Sequence, residues 1–150
     1  MGTMTLPASG VLCIDANIVI YTVEKHPRYS AVLRPLWSSV AAGQVYIVVS
    51  ELVLLETLVG PYRAGLKQLA NDYETFFTLP GIELIPISPS VLREAAAIRA
   101  NVSRLRSPDA IHAATAILHA SANLLTNDLG FRNLAQLNVI LLDELMDNEA

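Results

Sequence analysis

Short β-type runs alternate with longer helical segments along the chain. The β-type runs cover residues 11–14, 46–49, 82–87, 124–126 and 139–142. Most of them are continuously apolar, which is typical of strands buried on both faces of a parallel sheet. Because helical patterns separate the runs, their order predicts a single α/β domain with a mostly parallel five-stranded sheet. Pro86 interrupts the third run, which indicates an edge strand.

Helical segments are predicted between the strands. They cover residues 18–24, 30–42, 63–78, 88–101 and 107–121, together with a helix that carries Glu56 and begins after Ser50. Ser107-Pro108 is a start signal, since a capping residue is followed by proline in the first turn. No linker or repeat divides the chain. The expected domain covers residues 10–142, between a disordered or expression-derived segment, 1–9, and an acidic tail, 143–150.

The composition is typical of a folded, water-soluble domain. Of the 150 residues, 53% are hydrophobic, but no apolar stretch approaches the roughly 20 residues that span a bilayer. Residues 1–10 lack the basic and apolar segments of a secretion signal. The single cysteine, Cys13, lies within a predicted strand, which excludes an internal disulfide and fits the reducing cytoplasm.

Although the net charge is −4, the chain is mildly basic outside the site candidates and the C-terminal acidic residues. Four of the 14 acidic residues are site candidates, and four more lie near the C-terminus, at positions 143, 144, 147 and 149. Six acidic residues therefore remain against ten lysines and arginines. Four arginines precede Asp109 and form either a phosphate-binding group or a solvated helix face: Arg93, Arg99, Arg104 and Arg106.

Four carboxylates occur in apolar surroundings, namely Asp15, Glu56, Asp109 and Asp128. An isolated buried carboxylate must be paired, protonated or bound to a cation. No lysine or arginine lies within four residues of Asp15 or Glu56. Asp15 and Asp128 follow predicted strands, where open α/β sheets place their sites. If the fold gathers all four, a divalent metal with oxygen ligands and phosphate ester hydrolysis are the expected chemistry.

Each carboxylate also has a simpler interpretation. Asp15 could cap the following helix, Asp109 could be an ordinary acid at a helix start, and Asp128 could belong to a turn. Glu56 could pair with Arg63 or with another base across the fold. His112, one turn after Asp109, is attributed to helix packing and left out of the site.

Four segments resemble the PIN domain family. They are Asp15-Ala16-Asn17, residues 50–56, residues 108–116 and residues 125–131, and they follow the family's order over residues 10–142. In a chain of this length, the set is similar to the VapC-type toxins of bacterial and archaeal toxin–antitoxin pairs. One departure is Asn127, where the family often has a basic residue before its last acid.

The resemblance implies a Mg²⁺-dependent ribonuclease, with Mn²⁺ able to substitute, built on a five-stranded sheet flanked by helices on both faces. By matched position, Asp15 and Asp109 are the firmest metal ligands, while Glu56 and Asp128 complete the acidic pocket. Asn17 and Thr126 match positions that support the carboxylates. The resemblance also implies an antitoxin partner and a homodimer, for which the helices of Trp37, Tyr62, Phe76 and Phe77 could supply the interface.

The expected reaction is hydrolysis of single-stranded or loop RNA by a metal-activated water, which Glu56 or Asp128 positions. Two other functions stay open at this point. One is a non-catalytic binding module with the PIN fold, and the other is a phosphatase or phosphotransfer receiver with an acidic pocket. The second usually needs a lysine near the site, and neither Lys25 nor Lys67 follows a predicted strand. A dinucleotide-binding enzyme is poorly supported, because no Gly-x-Gly-x-x-Gly follows the first strand.

Overall fold

A five-stranded sheet, parallel at every strand pair, forms the centre of the domain. A computed structural model describes residues 5–147 of the chain. The strands are β1 (Gly10–Ile14), β2 (Val45–Ser50), β3 (Ile82–Ile85), β4 (Asn123–Thr126) and β5 (Asn138–Leu141). Their spatial order is β3-β2-β1-β4-β5, which confirms the expected α/β class and places β3 at an edge. Pro86 follows β3 directly.

Within residues 5–147, seven α-helices connect and flank the strands. They are α1 (Ala16–Val23), α2 (Ser30–Ala41), α3 (Leu52–Ala64), α4 (Lys67–Phe76), α5 (Pro89–Asn101), α6 (Ser107–His119) and α7 (Leu142–Asp147). The prediction of one helix over 63–78 was wrong at its start, because α3 continues to Ala64. Gly65 then adopts a left-handed conformation with φ of 68° and ends α3.

The helices cover both faces of the sheet. Successive side chains of a strand point to opposite faces, and β1 shows this clearly. Leu12 and Ile14 belong to one hydrophobic cluster, which includes Leu33 of α2 and Tyr73 of α4. The intervening Cys13 belongs to a second cluster, which α5 and α6 complete. Burial raises the pKa of the Cys13 thiol, and the nearby charge of Asp15 adds to the effect, so this cysteine remains a protonated core residue.

Small side chains let α6 lie close to the sheet. Ala110, Ala113, Ala114 and Ala116 are fully buried, and the helix contacts β1, β2 and β4. An alanine presents little bulk, so the backbone of the helix approaches the strands closely. The N-terminal turn of α6 is thereby fixed relative to the central strands.

The ordered domain extends beyond the expected limits of 10 and 142. Leu6, within the segment 1–9 that was expected to be disordered or expression-derived, packs partly buried against the first cluster. Leu145, in the expected acidic tail, is buried in the same cluster as part of α7. Residues 1–4 and 148–150 of the two expected terminal segments lie outside the described residues.

The aromatic residues expected at a homodimer interface have different environments. Phe76 and Phe77 are buried in the core, and the Trp37 ring packs edge-on against Phe76. Tyr62, in contrast, is 68% exposed on α3. Only Tyr62 of this set therefore presents most of its side chain to a partner. Along residues 5–147, none of the helices is both long and apolar enough to cross a membrane.

Candidate functional site

The site begins where two neighbouring parallel strands end. Ile14 of β1 pairs with Leu125 of β4, so the next residues, Asp15 and Thr126, lie side by side. The Thr126 hydroxyl donates a hydrogen bond of 2.5 Å to Asp15 Oδ2. The strand pairing itself therefore brings together two residues that are 111 positions apart.

Asp15 is a buried carboxyl group, only 5% exposed. Its other oxygen, Oδ1, accepts a hydrogen bond from the backbone N–H of Ile18 at 3.4 Å and caps α1. Burial raises the pKa of Asp15, and the negative charge of Asp128 raises it further. The hydrogen bonds from Thr126 and Ile18, and the nearby His112, lower that pKa without cancelling the effect of burial. Asp15 therefore does cap α1, as its simpler interpretation suggested. The capping hydrogen bond does not offset the free-energy cost of burying the negative charge of Asp15.

Asp128 is held in a turn directly after β4. Its backbone N–H donates to Thr126 Oγ1 at 3.0 Å, and its Oδ1 accepts the Gly130 N–H at 2.8 Å. The following 3₁₀ turn, Leu129–Phe131, is anchored by the buried Phe131 ring. Thr126 therefore bridges Asp15 and Asp128, because its hydroxyl donates to the first and accepts from the second.

Glu56 of α3 meets His112 of α6. The distance between Glu56 Oε1 and His112 Nε2 is 2.7 Å. His112 is 3% exposed, whereas the Glu56 side chain keeps 29% of its surface exposed. Pairing of Glu56 with a base across the fold is thus observed, and the base is His112 rather than Arg63. His112, which the sequence placed outside the site, therefore contacts a candidate site residue, and its position one helical turn after Asp109 was the available signal.

Asp109 lies in the first turn of α6 and is mostly buried, with 16% of its side chain exposed. Its ion pair is with the exposed Arg106, at 3.4 Å from Nε to Oδ2. Across residues 5–147, no hydrogen bond or ion pair joins Asp109 to the other three candidate acids. Asp109 lies on the same helix as His112 and precedes it by one turn.

The expected supporting residues differ in outcome. Thr126 is fully buried and contacts Asp15 as described. Asn17 is exposed in the first turn of α1, and within the described part of the chain its side chain makes no hydrogen bond to a carboxylate. Asn127, the departure from the family pattern, accepts a hydrogen bond from the Asp143 N–H at 3.0 Å, so it connects the site turn to α7.

Three of the four grouped arginines contact the protein itself. Arg99 donates to Leu105 O at 2.9 Å and to Ser107 Oγ at 3.2 Å, which holds the start of α6. Arg104 donates to Gly130 O at 3.0 Å and to Arg132 O at 3.3 Å, which holds the turn after Asp128. Together with the Arg106 ion pair, these contacts stabilise the start of α6, which carries Asp109, and the turn that carries Asp128.

The donor set fits a divalent cation with oxygen ligands. Asp15 is a buried carboxyl group with an unmet electrostatic cost, and Thr126 and Asp128 add oxygen atoms beside it. Among residues 5–147, no three His, Cys, Asp or Glu side chains form a group that could hold a metal ion. Mg²⁺ nevertheless requires only one or two carboxylates, because it keeps several of its waters. Asp15 with one further acid therefore satisfies the chemical requirement.

We expect Thr126→Val to weaken the binding of Mn²⁺ to this pocket by about 10- to 100-fold. Losses of this size are usual when a residue that supports a metal ligand is removed. The valine keeps the shape of threonine but cannot donate to Asp15, so the pKa of Asp15 rises further and its charged form becomes rarer. Thr126→Ser keeps the hydroxyl and should retain most of the affinity. Titration of the melting temperature with Mn²⁺ compares the variants, and equal affinity of Thr126→Val and wild type would contradict the expectation.

The sequence of the chain matches the PIN domain family over residues 12–137. The chain belongs to the PIN domain family. No curated protein has significant sequence similarity to the chain.

Several solved structures of VapBC and toxin–antitoxin complexes have the same fold. VapBC2 from Rickettsia felis, bound to a DNA fragment from their promoter, matches with a TM-score of 0.71 and 21% identity, over 87% of this chain and 98% of that chain. DNA-bound VapBC from Salmonella typhimurium matches with a TM-score of 0.68 and 19% identity, over 89% of this chain and 98% of that chain. A toxin–antitoxin complex from Klebsiella pneumoniae matches with a TM-score of 0.64 and 23% identity, over 87% of this chain and 97% of that chain. At these identities the likeness concerns the fold.

Proposed function

We propose that this PIN domain protein is a metal-dependent ribonuclease, the toxin of a type II toxin–antitoxin system, which cleaves single-stranded or loop RNA. One observation carries the proposal above the others. A buried Asp15, whose charge has no basic partner at hydrogen-bond distance within residues 5–147, lies beside Thr126 and Asp128 at the strand ends of a PIN fold. A bound cation would supply the missing charge.

Asp15 and Asp109 are the proposed metal ligands, with Glu56 and Asp128 completing the pocket. When bound there, Mg²⁺ or Mn²⁺ would activate a water and stabilise charge on the phosphoryl group. PIN nucleases generally use a divalent metal, which agrees with this donor set.

The residues of the chain have distinct tasks in this reaction. Thr126 Oγ1–H and the Ile18 N–H favour the charged form of Asp15 by hydrogen bonding. The turn after β4 fixes Asp128 through the Gly130 N–H. The Glu56 side chain keeps 29% of its surface exposed, and in the proposed reaction it or Asp128 orients the attacking water and accepts its proton.

Two protein partners are part of the proposal, together with a cytoplasmic location. The structural relatives are complexes of toxins with antitoxins, which supports a separately encoded antitoxin that blocks the site.

A homodimer is proposed through α3, where Leu55, Val59 and Tyr62 are exposed at 66%, 46% and 68%. These residues recur every three or four positions and so share one side of the helix. Exposed apolar groups of this kind typically mark an interaction surface.

The proposal is tested by a cleavage time course on a mixture of structured and unstructured RNAs. Wild type and Asp109→Asn are purified free of antitoxin and assayed with Mg²⁺, Mn²⁺ or EDTA. We expect wild type to cleave with either metal but not with EDTA, and Asp109→Asn to lose at least about 100-fold in rate, since metal stabilisation is worth several kcal/mol. Cleavage in EDTA, or equal cleavage by the variant, would contradict the proposed mechanism.

One observation favours a second candidate, a non-catalytic binding module with the PIN fold. Over the described residues, the acids do not converge into a group of three metal-binding side chains. If wild type cleaves none of the RNAs with either metal, this second candidate is preferred. Antitoxin binding would then be the activity to measure.

A further inference from the structure

We infer that His112 is a positioning residue that fixes the Glu56 carboxylate at the edge of the acidic pocket. The inference rests on the proposed ribonuclease function and adds a residue to it. His112 lies on α6 and Glu56 on α3, so their contact links the helix that carries Asp109 to a second helix of the pocket. The sequence separation of 56 residues hides this contact from local patterns.

The geometry assigns the proton of the imidazole. A carboxylate only accepts hydrogen bonds, so Nε2 is the donor in the 2.7 Å contact with Glu56 Oε1. The described contacts of the Glu56 carboxylate involve Oε1 alone. Oε2 is therefore left for a water or another group in the pocket, while the bond at Oε1 restricts the rotation of a long side chain that would otherwise be free.

The second ring nitrogen argues against a purely structural histidine. His112 Nδ1 is buried and has no hydrogen-bond partner within the described residues. A buried polar nitrogen without a hydrogen-bond partner costs folding free energy, and the neighbouring positions on α6 are buried alanines, namely Ala110, Ala113 and Ala114. An apolar side chain would pack there without that cost. The hydrogen bond between His112 Nε2 and Glu56, a residue of the proposed site, offsets the free-energy cost of the unpaired Nδ1.

The test compares substitutions that separate the Nε2 contact from packing. His112→Met keeps a similar volume and removes both nitrogens, whereas the amide nitrogen of His112→Gln reaches nearly as far as Nε2. His119, exposed in the last turn of the same helix, provides the matched control His119→Met. RNA cleavage gives kcat and KM for each protein, and the melting temperature is measured without metal.

We expect His112→Met to lower kcat by about 10- to 100-fold, as for other residues that orient a site group, with KM changed by less than about twofold. Its metal-free melting temperature should equal or exceed that of wild type, because the orphaned nitrogen is gone. His112→Gln should recover most of kcat, and His119→Met should match wild type. Activity and stability would thus change in opposite directions, which a structural role would not produce.

Two results would overturn the inference while leaving the ribonuclease proposal intact. One is wild-type kcat in His112→Met, and the other is a parallel loss of kcat and melting temperature that His112→Gln does not restore. If wild type itself is inactive, the proposed function fails, and ¹⁵N NMR of the histidine rings still decides on the contact. A proton on Nε2 whose signal shifts in Glu56→Gln supports it, whereas a ring protonated on Nδ1 and indifferent to Glu56→Gln overturns it.

Discussion

Asp15→Asn is expected to abolish metal-dependent RNA cleavage while leaving the fold intact. The amide is nearly the same shape as the carboxyl group, and its single oxygen can still accept one of the two hydrogen bonds, from Thr126 or from the Ile18 N–H. It cannot supply the negative charge that a divalent cation requires. Loss of metal stabilisation corresponds to at least about 3 kcal/mol, or roughly a hundredfold in rate. Cleavage assays with Mg²⁺ and Mn²⁺ measure the loss.

The same variant should be more stable than wild type in the absence of metal at neutral pH. Burial raises the pKa of Asp15 above its ordinary value of 3.8, so the folded protein binds a proton that the unfolded chain has already released. Stability of wild type therefore falls as pH rises from 3.8 through the raised pKa. The contribution of Asp15 to this dependence should disappear in Asp15→Asn. Urea unfolding at several pH values, with EDTA present, measures both curves.

Asp72→Asn is the matched control for both measurements. Asp72 is exposed on α4, and its carboxylate accepts a hydrogen bond from Gln68 at the surface. This control should retain wild-type cleavage and wild-type stabilisation by Mn²⁺. An Asp15→Asn protein that still cleaves RNA, or that gains as much stability from Mn²⁺ as wild type, would refute the assignment of Asp15 as a metal ligand.

Phe131→Ala is expected to destabilise the protein by about 3–5 kcal/mol, the usual cost of truncating a buried phenylalanine. The ring is 1% exposed and packs in the second core cluster with Leu124 and Leu134. The ring anchors the turn that holds Asp128, so the truncation leaves a cavity close to a site residue. A fall in melting temperature of roughly 10 °C is expected, together with slower RNA cleavage at temperatures where the variant remains folded.

Two neighbouring substitutions separate packing from local backbone effects. Phe131→Leu keeps an apolar side chain and should cost less than Phe131→Ala. Leu129→Ala alters the same turn at a residue that is 64% exposed, so its stability should stay within about 0.5 kcal/mol of wild type. Urea unfolding compares the three variants. If Phe131→Ala and Leu129→Ala have similar effects, the buried ring does not anchor the turn.

The element order was predictable because it depends on local hydrophobic patterns. Most strand cores, such as residues 46–49 in β2, are continuous apolar runs. Gly65 is the strongest local signal that separates α3 from α4. The longer helical pattern over residues 63–78 outweighed that signal. The short helix α7 escaped prediction since acidic residues dominate its sequence, whereas burial of Leu142 and Leu145 stabilises it through contacts that are distant in sequence.

The contacts of the candidate site were predictable only where two neighbouring strands end. Asp15 and Thr126 meet because β1 and β4 are parallel neighbours, and the carboxyl ends of such strands share one edge of the sheet. The roles of the arginines and of Asn127 depend instead on hydrogen bonds to the backbone of other loops. Arg104, for example, contacts the turn at Gly130, 26 residues further along the chain.

The sequence by itself determined the α/β class, the family and the acids that end the strands, since all three follow from residues close together in the chain. Only the tertiary structure decided which side chains share the pocket. The contact between Glu56 and His112 requires α3 and α6 to be placed against each other, and the buried, orphaned Nδ1 of His112 has no trace in the sequence. The physical reason is that hydrophobic periodicity is a local property, whereas burial and pairing of polar groups are properties of the packed chain.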